Sequence, residues 1–319
     1  MRCIDLFSGG GGFSIGFQQA GFDTVGYDHD AEIAKIANAN GLPTVVQDLM
    51  ANPAIEKATV IVGGPPCQPF SEASRMKKDQ TFHLDRRNGI DAFVNIVLAS
   101  RPRAFVMEQS PNLPRRSHAY WDPLRKRLAS EYQIVDGIVN MAYFGVPQKR
   151  KRYVCVGVER GIDPTGILDP VNRTITPINS VLGRVEVGSG PLIPQKTFGR
   201  IMRFESRTGK HARILRLSET ARTVTITNTM SKPGSNDCLR FAFDDHGKVV
   251  DRKILISENV AFRQRRVTFE EACALQTFPR SYRWSGREKV RYTIVGNAVP
   301  PVFARVLAER LRKKLSAHH

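Results

Sequence analysis

The sequence predicts an α/β fold built on a parallel sheet, joined to a second, smaller and irregular domain. Three observations carry this. Short apolar or β-branched runs alternate with helical stretches over residues 1–159, the alternation stops after Val158, and helical periodicity returns only within residues 260–319. Taken in order, Cys3-Ile4-Asp5-Leu6-Phe7 reads as a short buried strand, Ser8 and the run Gly9 to Gly12 as a turn, and Phe13 to Ala20 as a helix that Gly21 stops from the C′ position. Thr24 to Tyr27 is the next strand, Ala31 to Ala39 the next helix, and Gly41 the next stop. Thr59 to Val62 and Arg103 to Met107 are further strands, with helices at Asp91 to Leu98 and Trp121 to Glu131. Such alternation implies a parallel sheet covered on both faces.

From about Arg160 to Asn259 the chain is rich in Gly, Pro, Thr and Arg and shows no sustained helical period. Within it Lys196, Arg200, Arg203, Arg207, Lys210, Arg213, Arg216 and Arg222 face only Glu205 and Glu219. This stretch, 160–259, is expected to be a basic, mostly-β domain inserted between 1–159 and 260–319. Helices resume at Thr268 to Leu275 and Pro301 to Leu315.

Bulk composition narrows the function classes. Of 319 residues 41% are hydrophobic, a globular composition, and no apolar run reaches the roughly 18 residues of a transmembrane helix. Nothing at the N-terminus reads as a secretory signal, so a cytoplasmic setting is expected. Cys3, Cys67, Cys155, Cys238 and Cys273 are scattered and odd in number, which argues against a disulfide framework and a cysteine-built zinc site. Lys and Arg total 48 against 30 acidic residues, a formal charge of +18. That imbalance favours a polyanionic partner, nucleic acid first; a membrane surface is the weaker option, since no basic amphipathic helix with a clean apolar face is seen.

Two segments carry chemistry. A strand, glycine-rich turn and helix over Asp5 to Phe13 form a unit in which backbone can approach a nucleotide, although alone it also fits a plain turn. Carboxylates at the end of the second strand suit a ribose diol; Asp30, just before Ala31, fits a helix cap, leaving Asp28 as the better candidate. Strand Thr59 to Val62 runs into Gly63-Gly64-Pro65-Pro66-Cys67-Gln68-Pro69-Phe70-Ser71. A cysteine framed by three prolines at the carboxyl end of a strand occupies the place where open α/β sheets put ligands.

Gly64-Pro65-Pro66-Cys67-Gln68-Pro69-Phe70-Ser71 resembles the Pro-Cys-Gln catalytic loop of the cytosine-5 DNA methyltransferases. The match continues in chain order. Asp5 to Gly12 resembles the family's cofactor loop, Gln148-Lys149-Arg150-Lys151-Arg152 its Gln-x-Arg-x-Arg element, and Arg266 through Pro279 the segment closing the recognition domain. Gly296-Asn297-Ala298-Val299-Pro300 resembles the element that returns to the cofactor. One departure stands out: where the family reads Glu-Asn-Val, this chain has Glu108-Gln109-Ser110.

The resemblance implies a Rossmann-like class I S-adenosylmethionine-dependent methyltransferase domain with a target-recognition domain at 160–259. It implies Cys67, Glu108, Arg150 and Arg152 as catalytic. Phe7, Gly9, Gly11, Asp28, His29, Asp48, Pro66 and Asn297 would bind S-adenosyl-L-methionine, released as S-adenosyl-L-homocysteine, with no metal. Gln68, Ser71, Gln148, Arg200, Arg203, Arg207, Lys210 and Arg213 would contact DNA. Also implied are double-stranded DNA as partner, a compact prokaryotic monomer associated with the nucleoid, and a cognate restriction endonuclease. A thiolate adding to C6 would activate C5, with Glu108, protonated or sharing a proton, bonding N3. The rival readings are a tRNA methyltransferase of the same fold, whose Cys-Phe-Thr signature is missing here, a non-catalytic DNA-binding relative, and a Rossmann-type dehydrogenase.

Overall fold

The computed structural model describes residues 1–66, 89–182, 213–214, 221–222, 239–244, 248–250 and 263–318. Its main sheet is built from β1 (Arg2–Leu6), β2 (Asp23–Asp28), β3 (Thr44–Val46), β4 (Val60–Gly63), β5 (Ala104–Gln109), β6 (Tyr132–Asn140) and β8 (Lys151–Glu159), in the order β3-β2-β1-β4-β5-β8-β6. The first five are mutually parallel. The strands expected from the alternation are parallel, and two strands the sequence does not mark complete the sheet at one edge, where β8 runs antiparallel to both β5 and β6. The reason lies in the connection. Only a short stretch separates β6 from β8, too little for the crossover a parallel neighbour needs, so the chain turns back and slots β8 beside β5.

Strands β1, β4 and β5 are buried along most of their length, so both faces select apolar residues: Val60-Ile61-Val62 and Ala104-Phe105-Val106-Met107 are fully buried. On one face lie α1 (Gly12–Gln19), α2 (Ala31–Ala39) and α8 (Pro301–Ser316); Phe13, Phe17, Phe303, Leu307 and Leu311 pack there against Val62, Val106 and Val156. The other face carries α3 (Gly89–Ser100), the short α4 (Asn112–Arg116) and α5 (His118–Glu131), through Phe93, Leu113, Trp121 and Leu128 against Ile61, Met107 and Tyr153.

A third apolar cluster joins the first face to the C-terminal third of the chain. Ile15, Ile36 and Leu42 meet Leu275 of α6 (Phe269–Leu275), Ile294 of α7 (Glu288–Asn297), and Phe241 and Phe243. These phenylalanines belong to β11 (Leu239–Phe243), which pairs with β9 (Arg213–Ile214), β12 (Val249–Val250) and β13 (Arg263–Arg266). A separate two-stranded pair couples β7 (Gln148–Lys149) to β10 (Ala221–Arg222). Past β8 the chain stays on the main body for a while: Ile162 and Ile167 share the apolar cluster of Val158 and Leu315.

Candidate functional site

Both candidate segments emerge at the carboxyl ends of the parallel strands. At the end of β1, Phe7 takes a left-handed backbone (φ 57°), a conformation L-residues rarely adopt and one that turns the chain sharply into the glycine run. Asp28, at the end of β2, holds that turn in place. Its Oδ2 accepts from Gly9 N (2.8 Å) and its Oδ1 from Asp30 N (3.0 Å), while His29 Nδ1 lies 3.4 Å from Oδ1. Asp30 caps α2, accepting from Glu32 N and Ile33 N, as its position before Ala31 implied. Gln47 N donates to Asp28 O (2.9 Å), which carries the exposed Asp48 round to the same strand ends; Asp48 itself accepts from Met50 N.

The glycines of the turn do different work. A Cβ on Gly9 would meet nothing within 4 Å, so this backbone faces open space. On Gly10 it would strike Ile294 Cγ2, and on Gly12 the Val299 carbonyl. Gly9 thus fronts a void that a ligand can fill, while Gly10 and Gly12 allow the segment bearing Asn297 to close against the turn. Tyr282 Oη adds a hydrogen bond to Gly10 O (2.9 Å). Behind the turn, the buried Asp5 accepts from Ser14 N (3.1 Å) and Ser14 Oγ (2.8 Å); burial pushes its pKa up to about 7, against the pull of those two donors. Open glycine backbone, a strand-end carboxylate and a second carboxylate nearby fit the needs of a nucleoside sulfonium cofactor.

Glu108 sits near the end of β5 and is 8% exposed. Arg152 Nε lies 2.9 Å from Glu108 Oε1, but off the N–H axis, so the contact is an ion pair and Oε1 lacks an aligned hydrogen-bond donor among the described residues. A Cβ built on Gly64 would meet only Glu108 Oε2, at 3.7 Å, which puts the carboxylate against the stem of the cysteine loop. Gln109 grips that stem. Its Nε2 donates to Pro65 O (2.6 Å) and its Oε1 accepts from Ser110 N (3.0 Å). Pro65 and Pro66 have no N–H, so the stem cannot be pinned through its own donors, and a side-chain amide supplies the missing bond. Pro66, exposed, packs against Gly89, where a Cβ would collide with Pro66 Cδ.

Arg150 is buried, with Nη2 3.5 Å from Gly296 O; burial first, then the neighbouring Arg152, lowers its pKa to about 9, so it remains a cation at neutral pH. Gln148, expected to touch DNA, is instead fully buried: its Nε2 donates to Leu275 O (2.9 Å) and to Gln276 Oε1, and Gln276 Nε2 donates on to Ala298 O (2.5 Å). That amide is committed inside the protein. Sequence reasoning misses the bracing roles of Gln276, Tyr282 and Gly12: Gly12 and Gln276 fall inside motifs, but a motif does not say which of its residues packs against which, and Tyr282 lies in none. Cys67, Gln68, Ser71, Arg200, Arg203, Arg207 and Lys210 lie outside the described residues; Arg213 falls on β9. Among the described residues no group of three His, Cys, Asp or Glu could hold a metal ion, and no helix is long and apolar enough to cross a membrane.

A seven-stranded sheet with this order, a glycine turn after its first strand and a carboxylate at the end of its second defines a class I S-adenosylmethionine-dependent methyltransferase fold. Solved structures agree on the fold. The S. pombe Dnmt2 methyltransferase superposes with a TM-score of 0.68 at 16% identity, covering 99% of this chain and 98% of that one. The Entamoeba histolytica methyltransferase EhMeth gives 0.68 at 16%, covering 100% and 99%. Within that class the family follows from sequence. The C-5 cytosine-specific DNA methylase model matches residues 1–313, and the chain belongs to that family: it is a DNA cytosine-5 methyltransferase. Similar proteins include the Type II methyltransferases M.AplI of Arthrospira platensis (29% identity, 98% of this chain and 86% of the relative) and M.NlaX of Neisseria lactamica (30%, 99% and 97%).

Proposed function

We propose that the chain flips a cytosine out of double-stranded DNA and methylates it through a covalent adduct with Cys67, using S-adenosylmethionine as donor. The observation that carries this is the placement of Glu108 against the Gly64–Pro65 stem, two residues before Cys67, with Arg152 on its flank. In this reading the Cys67 thiolate bonds to C6 and electron density moves to C5. Glu108 holds N3 through a shared proton and stabilises the charge developing on the ring. Arg152 keeps Glu108 in position, and Arg150 contributes fixed positive charge beside the pair. Once C5 is methylated, loss of its proton returns the electrons to the ring and expels Cys67 as thiolate.

Phe7, Gly9, Gly11, Asp28, His29, Asp48, Pro66 and Asn297 would form the cofactor site, with Asp28 toward the ribose. S-adenosylmethionine bound there supplies an electrophilic methyl group on its sulfonium. Base extrusion costs on the order of a few kcal/mol, which DNA contacts must offset. Residues 160–259 would provide them as a recognition domain, with Arg200, Arg203, Arg207, Lys210 and Arg213 dividing between phosphates and base edges, and Gln68 and Ser71 reaching the DNA from the cysteine loop. A nucleoid location, a monomeric state and a partner endonuclease complete the reading, the last supported by the Type II names of the relatives.

The test is adduct formation. A duplex carrying 5-fluorocytosine, incubated with cofactor, should give a denaturation-resistant complex that mass spectrometry maps to Cys67, because fluorine cannot leave as the proton does. Cys67→Ser should bind cofactor normally yet lose both adduct and methyl transfer. A serine variant with near wild-type turnover, or an adduct at another residue, removes the assignment.

A further inference from the structure

On the sheet face opposite the β11 strands, Arg115, Arg116 and Lys151 stand without side-chain partners among the described residues, at the end of the sheet where β5 finishes; Lys126, also free, lies along α5. The chain leaves β5 through Glu108-Gln109-Ser110 and enters α4, which is fixed by the buried Leu113 packing with Met107, Trp121 and Tyr153. That anchoring leaves Arg115 and Arg116 exposed. Lys151 begins β8, and its register pairs Tyr153 with Gln109 of β5. Side chains alternate along a strand: Tyr153 and Cys155 lie in the α3–α5 cluster, so Lys151 projects to the α4 side, while Arg152 projects to the other side with Glu108. Lys151 is exposed. None of the three has an ion pair or side-chain hydrogen bond among the described residues. Asp136, a carboxylate on this face, is already held by Arg125 (2.5 Å) and by Tyr153 Oη (2.7 Å).

We infer that Arg115, Arg116 and Lys151 form a second phosphate-gripping rim, which holds the DNA backbone beside the flipped base from the sheet face opposite β11. The inference rests on the proposed DNA reaction at Glu108 and the Cys67 loop, since the rim matters only if duplex DNA lies across those strand ends. Cations in the last turn of a helix also complement its dipole, but α4 has only five residues and Lys151 sits on a strand, so that role does not account for all three. Duplex DNA presents a negative charge about every 1.7 Å along its axis, and exposed, unpaired Arg and Lys are suited to bind it without reading sequence.

The experiment compares wild type with Arg115→Gln/Arg116→Gln, and with the same pair plus Lys151→Gln, by fluorescence anisotropy across a salt titration. Two duplexes are used, one bearing a sequence the wild type methylates and one scrambled. The rim predicts that affinity falls by the same factor on both, and that the slope of log K against log salt shrinks by about 0.9 for each phosphate no longer neutralised. Arg115→Lys/Arg116→Lys should restore the slope, because charge and not geometry is at stake. An unchanged slope in the glutamine variants, or weakening confined to the methylated sequence, overturns the rim. If the wild type methylates no DNA, so that no such duplex can be chosen, it is the function that falls; if it methylates and the variants keep its slope, only the rim does.

Discussion

Asp5 is a carboxyl enclosed by the fold. It lies inside the molecule at the root of the cofactor turn, satisfied by Ser14 N and Ser14 Oγ through one oxygen, and burial raises its pKa from 3.8 to about 7. A carboxyl raised on folding binds its proton more tightly in the native state. Its contribution to stability is therefore complete below about 3.8 and is lost as pH rises through about 7, a change on the order of 4 kcal/mol at 1.36 kcal/mol per unit. Asp5→Asn keeps an oxygen for Ser14 but cannot ionise. Thermal melts should show variant and wild type close together near pH 4, with the variant progressively more stable toward pH 8; parallel curves would refute the buried ionisation. Gln109 shows the same scale at work without charge, because the methylene by which it exceeds the family's asparagine belongs to a side chain that reaches Pro65 O.

Among elements, α1 and α8 depend on glycine. A Cβ on Gly16 would stand 2.5 Å from Ala304 Cβ, 2.5 Å from Arg305 N and 2.6 Å from Pro301 O; two of these are backbone atoms of α8 and cannot rotate away. Gly16→Ala should gain about 1 kcal/mol of helix propensity and lose more to overpacking, for a net destabilisation of roughly 1–2 kcal/mol. Gly137→Ala, at a position with nothing within 4 Å, is the control that urea denaturation should find nearly silent. This close approach is a tertiary fact, and the sequence shows Gly16 only as a weak spot in a helix. The elements legible in the sequence are those with a one-dimensional signal. Ala31 to Ala39 matches α2 to the residue, and the strands of Val60 and Ala104 declare themselves by unbroken apolar runs. Strand β3 escapes such reading because it is three residues at a sheet edge, with Val45 and Val46 exposed. Strand β6, half-buried and interrupted by Asp136 and Gly137, offers neither an apolar run nor clean alternation. Helix α7 carries Arg291, Thr293 and Asn297 among its apolar positions and lacks a side-chain cap. Of the site, strand-end carboxylates are legible because topology fixes where strand ends lie, whereas the buried fate of Gln148 depends on Gln276, 128 residues on.

At the scale of the whole molecule, one buried chain of amides links the two ends of the chemistry. Gln148 belongs to β7, whose backbone pairs with β10 inside the proposed recognition domain, Ala221 opposite Gln148 and Arg222 opposite Lys149. The Gln148 side chain bonds to Gln276, and Gln276 to the carbonyl of Ala298, immediately after Asn297 in the proposed cofactor site. Arg150 Nη2 reaches the carbonyl of Gly296 on the other side of the same residue. A shift in β10 on binding DNA therefore has a direct mechanical route to the cofactor turn, through the fully buried side chains of Gln148 and Gln276. If the route operates, DNA changes the affinity for S-adenosylmethionine, and by linkage the cofactor changes the affinity for DNA by the same factor, commonly about 5–150-fold in coupled systems. Gln276→Glu keeps an oxygen for Gln148 while removing the donor to Ala298. Calorimetry of cofactor binding with and without duplex should show a clear ratio in the wild type and a ratio approaching one in the variant. Loss of cofactor affinity alone would mark Gln276 as a structural brace, whereas loss of the ratio marks it as the link. A variant that keeps the wild-type ratio would break the proposed connection between recognition and methyl transfer.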